Sequence, residues 1–189
     1  AARLAVGLGW RPDEIYTAAA VVKAEGRGLY GLVNNAGVGS SLVPLNDAEE
    51  RDLTYVFDVN VYGPWRVTKA FAPLLAASKG RVVNISSVAG FVASPLIGPY
   101  AMSKHAIEAF TDSLAAEMQA QGVLVSVIEP GNYNSEIGKS AAERTGQTSR
   151  LTDRSKYKSP DEVADAVALA LFEASPKRRY LVVPNAYEG

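Results

Sequence analysis

Cysteine is absent from all 189 residues, and histidine occurs once, at His105. A disulfide framework and a thiolate nucleophile are therefore excluded, and a zinc site built from protein ligands alone is not expected. Any redox chemistry would have to come from a bound cofactor. Charge of one sign is also lacking: 19 basic residues stand against 20 acidic ones, with no run of either kind and a formal net charge of −1. That balance gives no electrostatic footprint for nucleic acid or an anionic membrane and points to a small-molecule partner. No stretch approaches the roughly 18 uninterrupted apolar residues of a membrane span, and the first residues do not join a basic region to an apolar core. The expectation is a cytoplasmic protein with no membrane span and no nucleic-acid partner. Internal repeats, low-complexity tracts and linkers are missing as well.

What is present suits one domain, since 48% hydrophobic content over this length can bury a sizeable core. Four short apolar segments read as strands, at 29–33, 81–85, 123–128 and 180–183. The third carries Val123, Val125, Val127 and Ile128 with little polar alternation, the pattern of a parallel strand covered on both faces. Helical spacing recurs between the strands, in Ile107, Phe110, Leu114 and Met118 and again in Val163, Val167 and Leu171. Ser159, Pro160 and Glu162 predict a capped helix start, running to about Ala174. Asn46 with Glu49 predicts another, kinked at Gly63-Pro64 and continuing toward Ser78. Alternating strand and helix implies an α/β, doubly wound parallel sheet. The stretch 132–158 is polar and without strand periodicity, and a long insertion after a strand lies at the carboxyl edge of such a sheet, where ligands bind. It is the candidate substrate loop.

Three short patterns carry potential chemistry. Tyr100 and Lys104 are four residues apart, which on a helix puts them on one face. An ammonium about 4 Å from a phenol would favour the phenolate by roughly 4 kcal/mol before desolvation is subtracted, suiting the tyrosine to proton exchange. An accidental surface pair is the plain alternative. Asn84-Ile85-Ser86-Ser87 ends a strand in two hydroxyls, which either face the ligand crevice or merely cap a turn. Asn34-Asn35-Ala36-Gly37 ends another strand in small residues that would let a ligand approach the backbone, or that simply turn the chain. His105 projects about 100° away from Lys104 on a helix and is read as an ordinary packed or surface histidine.

In this order, NNAG, NISS, YxxxK and a later PG resemble the short-chain dehydrogenase/reductase family, over about residues 29–183. The wording GLVNNAG, NISSVAG and IEPG is similar to the branch that contains 17β-hydroxysteroid and retinol dehydrogenases. The resemblance implies a Rossmann-like single domain and a catalytic tetrad of Asn60, Ser87, Tyr100 and Lys104. Ser87 is preferred over Ser86 because the family serine directly precedes the small-residue turn, thirteen positions before the tyrosine. Its hydroxyl would hold the substrate oxygen, Tyr100 would exchange the proton, Lys104 would assist it and hold the nicotinamide ribose, and Asn60 would hold a water beside Lys104.

The cofactor implied is NAD or NADP, with Asn35, Ala36 and Gly37 against its adenosine ribose and pyrophosphate side, Pro130 and Gly131 beside the nicotinamide, and Tyr133 and Ser135 next to them. Tyr133 stands where the family usually has an aliphatic residue. Asn34 is expected to brace the sheet. The substrate implied is an alcohol or ketone, and Phe91, Val92, Leu96, Ile97 and Pro99 would line a lipophilic or steroid-like one, or else belong to the core. Helices at about 47–78 and 100–120 would pair copies into a homo-oligomer. Two rivals remain: a catalytically silent scaffold that kept the fold without nucleotide binding, and an epimerase or dehydratase using the same tyrosine and lysine. The pattern breaks at the front, where Gly7-Leu8-Gly9-Trp10-Arg11-Pro12 is not the family's glycine-rich fingerprint. One βαβ unit of about 30 residues or more is expected to be missing before Ala1, either because the protein truly lacks its phosphate-binding half or because this sequence omits it, and a retained tetrad favours omission.

Overall fold

The computed structural model describes residues 12–147 and 153–184. The fingerprint discrepancy at residues 7–11, and positions 148–152 of the candidate substrate loop, lie outside them. Four parallel strands, β1 (Gly31–Asn34), β2 (Arg81–Ile85), β3 (Leu124–Pro130) and β4 (Arg179–Val182), form one sheet in the order β1-β2-β3-β4. Leu32 pairs with Val82, Val82 with Val125, and Ile128 with Tyr180. Because successive side chains point to opposite faces, β2 sends Val82 to one side and Val83 to the other.

Helices cover both faces. Val82, Val123 and Val125 pack under α1 (Pro12–Ala24), α3 (Gly63–Ser78) and α4 (Gly98–Met118), with Ile15, Val22, Phe71, Leu75 and Met118 in the core. Val83 and Ile128 pack on the other face against Ala166 and Ala170 of α6 (Asp161–Phe172). Two shorter helices, α2 (Glu50–Phe57) and α5 (Ile137–Thr145), lie in the connections. The chain leaves α3 through Lys79, in the left-handed region at φ 49°, and enters β2 through Gly80. A Cβ on Gly80 would stand 2.5 Å from the Leu29 carbonyl oxygen and 2.8 Å from that of Tyr30, so only glycine fits there.

Asn34 braces the sheet as expected. Its Nδ2 donates to Asn84 Oδ1 at 2.8 Å and to Thr68 Oγ1 at 3.0 Å, and Asn84 Nδ2 donates to Thr111 Oγ1 at 2.9 Å. The four side chains form a buried polar ladder from α3 across two strands to α4. Asn84→Ala would leave the Asn34 amide short of an acceptor inside the sheet and open a small void. The expected cost is about 3 kcal/mol, read as a lower midpoint in urea denaturation.

Both expected helix caps fail. Leu45–Asp47 is a single 3-10 turn set by Pro44, and α2 starts only at Glu50, with Glu49 at its N-cap and its carboxylate paired with Arg51. The α6 N-cap is Pro160, not Ser159, and Glu162 takes hydrogen bonds from Lys158 and Tyr133 rather than reaching back to close a box. The kink does appear, as a π-helical stretch over Asp58–Tyr62. Pro64 has no amide hydrogen for the carbonyl four residues back, and the Gly63 amide donates instead to Asp58 O, one residue further than in an α-helix.

Candidate active site

The π-helical stretch turns Asn60 inward, where it is 1% exposed. Its side chain grips Val38 by both backbone groups, accepting from the amide at 2.8 Å and donating to the carbonyl at 3.0 Å. The same Nδ2 donates to Ser103 Oγ at 3.0 Å, and Ser103 donates to the Tyr100 carbonyl at 2.7 Å. One asparagine thus ties the chain beyond β1 to the first turns of α4, which carry Tyr100 and Lys104.

Lys104 is 4% exposed, and its Nζ donates to the Ile85 carbonyl, at the end of β2, at 2.9 Å. It also sits over the Tyr100 ring, 5.6 Å from the centroid. Among the described residues no carboxylate pairs with this buried ammonium, and Ile85 uses one of its three donors. A methyl placed on Gly37 would lie 3.5 Å from Lys104 Nζ and 3.6 Å from Asn60 Oδ1. Gly37, Asn60 and Lys104 therefore converge at the carboxyl end of the sheet, bounding a space that the missing side chain leaves free.

Ser87 stands at the end of β2, where its Oγ accepts from the Ala89 amide at 3.1 Å and donates to the Pro130 carbonyl at 3.4 Å. The turn-capping role and the position beside Pro130 coexist, and the turn Val88–Gly90 packs against α4. Ser86, by contrast, is buried with its Oγ unpartnered. Asn35 is exposed, while Ala36 and Gly37 are half-buried. Gly131 donates its amide to Val182 O at 2.8 Å. Tyr133 is buried, its hydroxyl donating to Glu162 of α6 at 2.8 Å. Ser135 is exposed in the following loop. His105 is exposed, with Nδ1 donating to the Ala101 carbonyl at 2.9 Å, in keeping with a surface histidine.

Sequence reasoning did not find the polar groups behind the end of β3. Arg179 places Nε 3.3 Å from Glu129 and its terminal nitrogen 2.8 Å from Asp112 and 3.4 Å from Glu108. Burial pushes the Glu129 carboxyl up, Glu108 adds to the shift, and Arg179 partly offsets it. Of the apolar residues expected to line the substrate, Phe91, Val92 and Leu96 are 48%, 51% and 41% exposed, Ile97 is half-buried and Pro99 is buried. A groove of about 290 Å³ lined by Trp65, Lys69, Phe110 and Leu114 lies between α3 and α4, apart from these residues.

The short chain dehydrogenase family model matches residues 7–146. Over 130 residues the chain is 45% identical to the mitochondrial D-beta-hydroxybutyrate dehydrogenase of Bos taurus, covering 65% of this chain and 37% of that protein. Over 133 residues it is 43% identical to retinol dehydrogenase 16 of Mus musculus, covering 69% and 42% respectively. The chain thus spans less than half the length of these curated relatives. A solved metagenomic short-chain oxidoreductase, crystallised in complex with NADP, superposes with a TM-score of 0.73 at 30% identity, over 93% of this chain and 71% of that one. Among the described residues no helix is long and apolar enough to cross a membrane. The matched family model, covering most of the chain, agrees with the motif order and with the parallel sheet: this chain belongs to the short-chain dehydrogenase family.

Proposed function

We propose that the chain is the catalytic part of an NAD(P)-dependent oxidoreductase acting on an alcohol or ketone. The observation that carries this reading is the buried Lys104 ammonium, without a carboxylate partner among the described residues, facing the space beside Gly37 and Asn60. A buried cation of this kind is costly unless polar ligands complete its shell, and vicinal ribose hydroxyls have the right chemistry. Lys104 and the Asn35–Gly37 backbone would hold the nucleotide, with Pro130, Gly131, Tyr133 and Ser135 on the nicotinamide side. Bound there, the nicotinamide supplies or accepts the hydride. Ser87 Oγ donates to the substrate oxygen and stabilises charge as it develops, and the Tyr100 hydroxyl gives or takes the proton. Asn60 keeps Val38 and α4 in register so that these groups share one crevice.

The substrate we infer is lipophilic. Phe91, Val92 and Leu96 are exposed between Ser87 and Tyr100, where a water-facing apolar rim is costly unless something apolar covers it. Of the two named relatives, one takes its name from a small hydroxy acid and the other from the apolar alcohol retinol; the rim favours the second kind.

Gly37→Ala tests the nucleotide site. The added methyl makes only ordinary contacts with Lys104 and Asn60, so the melting temperature should hold, yet it occupies the space proposed for the ligand. Fluorescence titration of the full-length protein with NADH and NADPH should show saturable binding of at least one. The variant should bind it about tenfold more weakly, the equivalent of ~1.4 kcal/mol. Absence of binding by the unsubstituted protein would remove the reading.

A further inference from the structure

The candidate substrate loop is not free of the rest of the site. Its helix α5 buries only two small residues, Gly138 and Ala141, and nine residues are too few for a helix to be stable alone in water. Its attachment is polar. Arg144 reaches from the last turn of α5 to Asp52 on α2 through one terminal nitrogen and to the Gly39 carbonyl, at 2.7 Å, through the other. The guanidinium also covers the Tyr55 ring at 4.8 Å from the centroid. Asp52 is 6% exposed and receives the Ser41 amide at 2.9 Å and the Ser41 hydroxyl at 2.7 Å on its other oxygen. Gln147, just past the helix, accepts the Leu42 amide at 2.7 Å. A Cβ on Gly39 would come within 3.1 Å of Ala141, so α5 lies directly on this loop.

Burial alone would push the Asp52 carboxyl up; the two bonds from Ser41 and the bond and charge of Arg144 outweigh it and hold the group below its ordinary range. Asp52 therefore stays ionised opposite Arg144. The loop it anchors begins at Gly37 and Val38, beside Lys104 and Asn60.

We propose that Arg144 is a positioning residue, latching α5 through Asp52 and Gly39 onto the loop after β1, so that the substrate side and the nucleotide side of the crevice close as one unit. The latch rests on the function proposed above only for what it positions. The two elements are more than 90 residues apart in sequence, and no other side chain of α5 is seen to bond to that loop among the described residues.

Hydrogen exchange of the full-length protein, with and without NADPH or NADH, is the test. In Arg144→Met, amides at 137–147 and at Ser41 and Leu42 should exchange about tenfold faster, while those of α3 keep their rates. In the unsubstituted protein the nucleotide should slow exchange at 137–147; in the variant it should bind yet leave that segment fast. With turnover, KM for the alcohol or ketone should rise about tenfold at a kcat changed less than about twofold, the sign of lost positioning rather than lost chemistry. Arg144→Lys, which keeps the charge but loses the two-pronged grip, should restore part of the protection. Unchanged exchange at 137–147 in Arg144→Met overturns the latch, and so does a variant whose kcat falls with KM unmoved. A protein that bound no nicotinamide nucleotide would instead defeat the proposed function, and the exchange comparison without nucleotide would still decide the latch.

Discussion

Replacing Tyr100 by Phe is expected to lower kcat by about three orders of magnitude while leaving nucleotide affinity and melting temperature nearly unchanged. The expectation follows from where the hydroxyl stands. Among the described residues no protein group bonds it, so its removal breaks no folded-state contact, and the ring that lies beneath Lys104 is kept. What is lost is the group proposed to move the proton, and a positioned general acid or base accounts for about 10²- to 10⁴-fold in rate. Steady-state kinetics and a nucleotide titration on the same preparation make the comparison. A variant turning over within about tenfold of the original would assign the proton to another group.

Lys104→Met should damage binding and chemistry together. Methionine fills most of the buried stem but carries no ammonium, so the ribose contact proposed above would lose its charged donor and the site its positive charge. A hydrogen bond to a charged group contributes about 1.5 to 3 kcal/mol, which converts to roughly 10- to 100-fold weaker nucleotide binding. Turnover should fall by at least about 10²-fold. Folding stability should hold or rise, because an ammonium that is 4% exposed and lacks a carboxylate partner among the described residues is removed from the interior. Calorimetry beside isothermal titration separates the two effects: a destabilised protein with intact nucleotide affinity would make Lys104 a structural residue instead.

Legibility in the sequence followed locality. The bounds of β2 match those expected, because a β-branched run sits between Gly80 and a pair of serines. β1 is displaced toward Asn34, since Leu29 donates its amide to Leu74 O before the strand starts and Asn34, polar enough to suggest a turn, pairs inside the sheet with Asn84. α1 was not anticipated, although Asp13 and Glu14 in its first turn and Lys23 in its last complement the helix dipole. The caps at Asn46 and Ser159 failed because the chain starts its helices later: Asn46 lies inside the 3-10 turn that follows Pro44, and Pro160 rather than Ser159 precedes α6.

At the site, the four-residue spacing of Tyr100 and Lys104 could be read from the chain, whereas the place of Asn60 was reached through family resemblance. Only the structure explains that place, by the π-helical stretch ahead of Pro64. The Asp52–Arg144 and Glu129–Arg179 pairs join residues 92 and 50 positions apart and left no local signal.

The central claim is that this crevice passes a hydride between nicotinamide and a carbon bearing oxygen. The most direct measurement supplies the full-length protein with nicotinamide nucleotide deuterated at the transferring carbon, together with a panel of lipophilic ketones, and examines the alcohols by mass spectrometry. One deuterium on the carbinol carbon, present with the unsubstituted protein and nearly absent with Tyr100→Phe, is the result predicted. Unlabelled alcohol, or no alcohol from any ketone despite bound nucleotide, would contradict it.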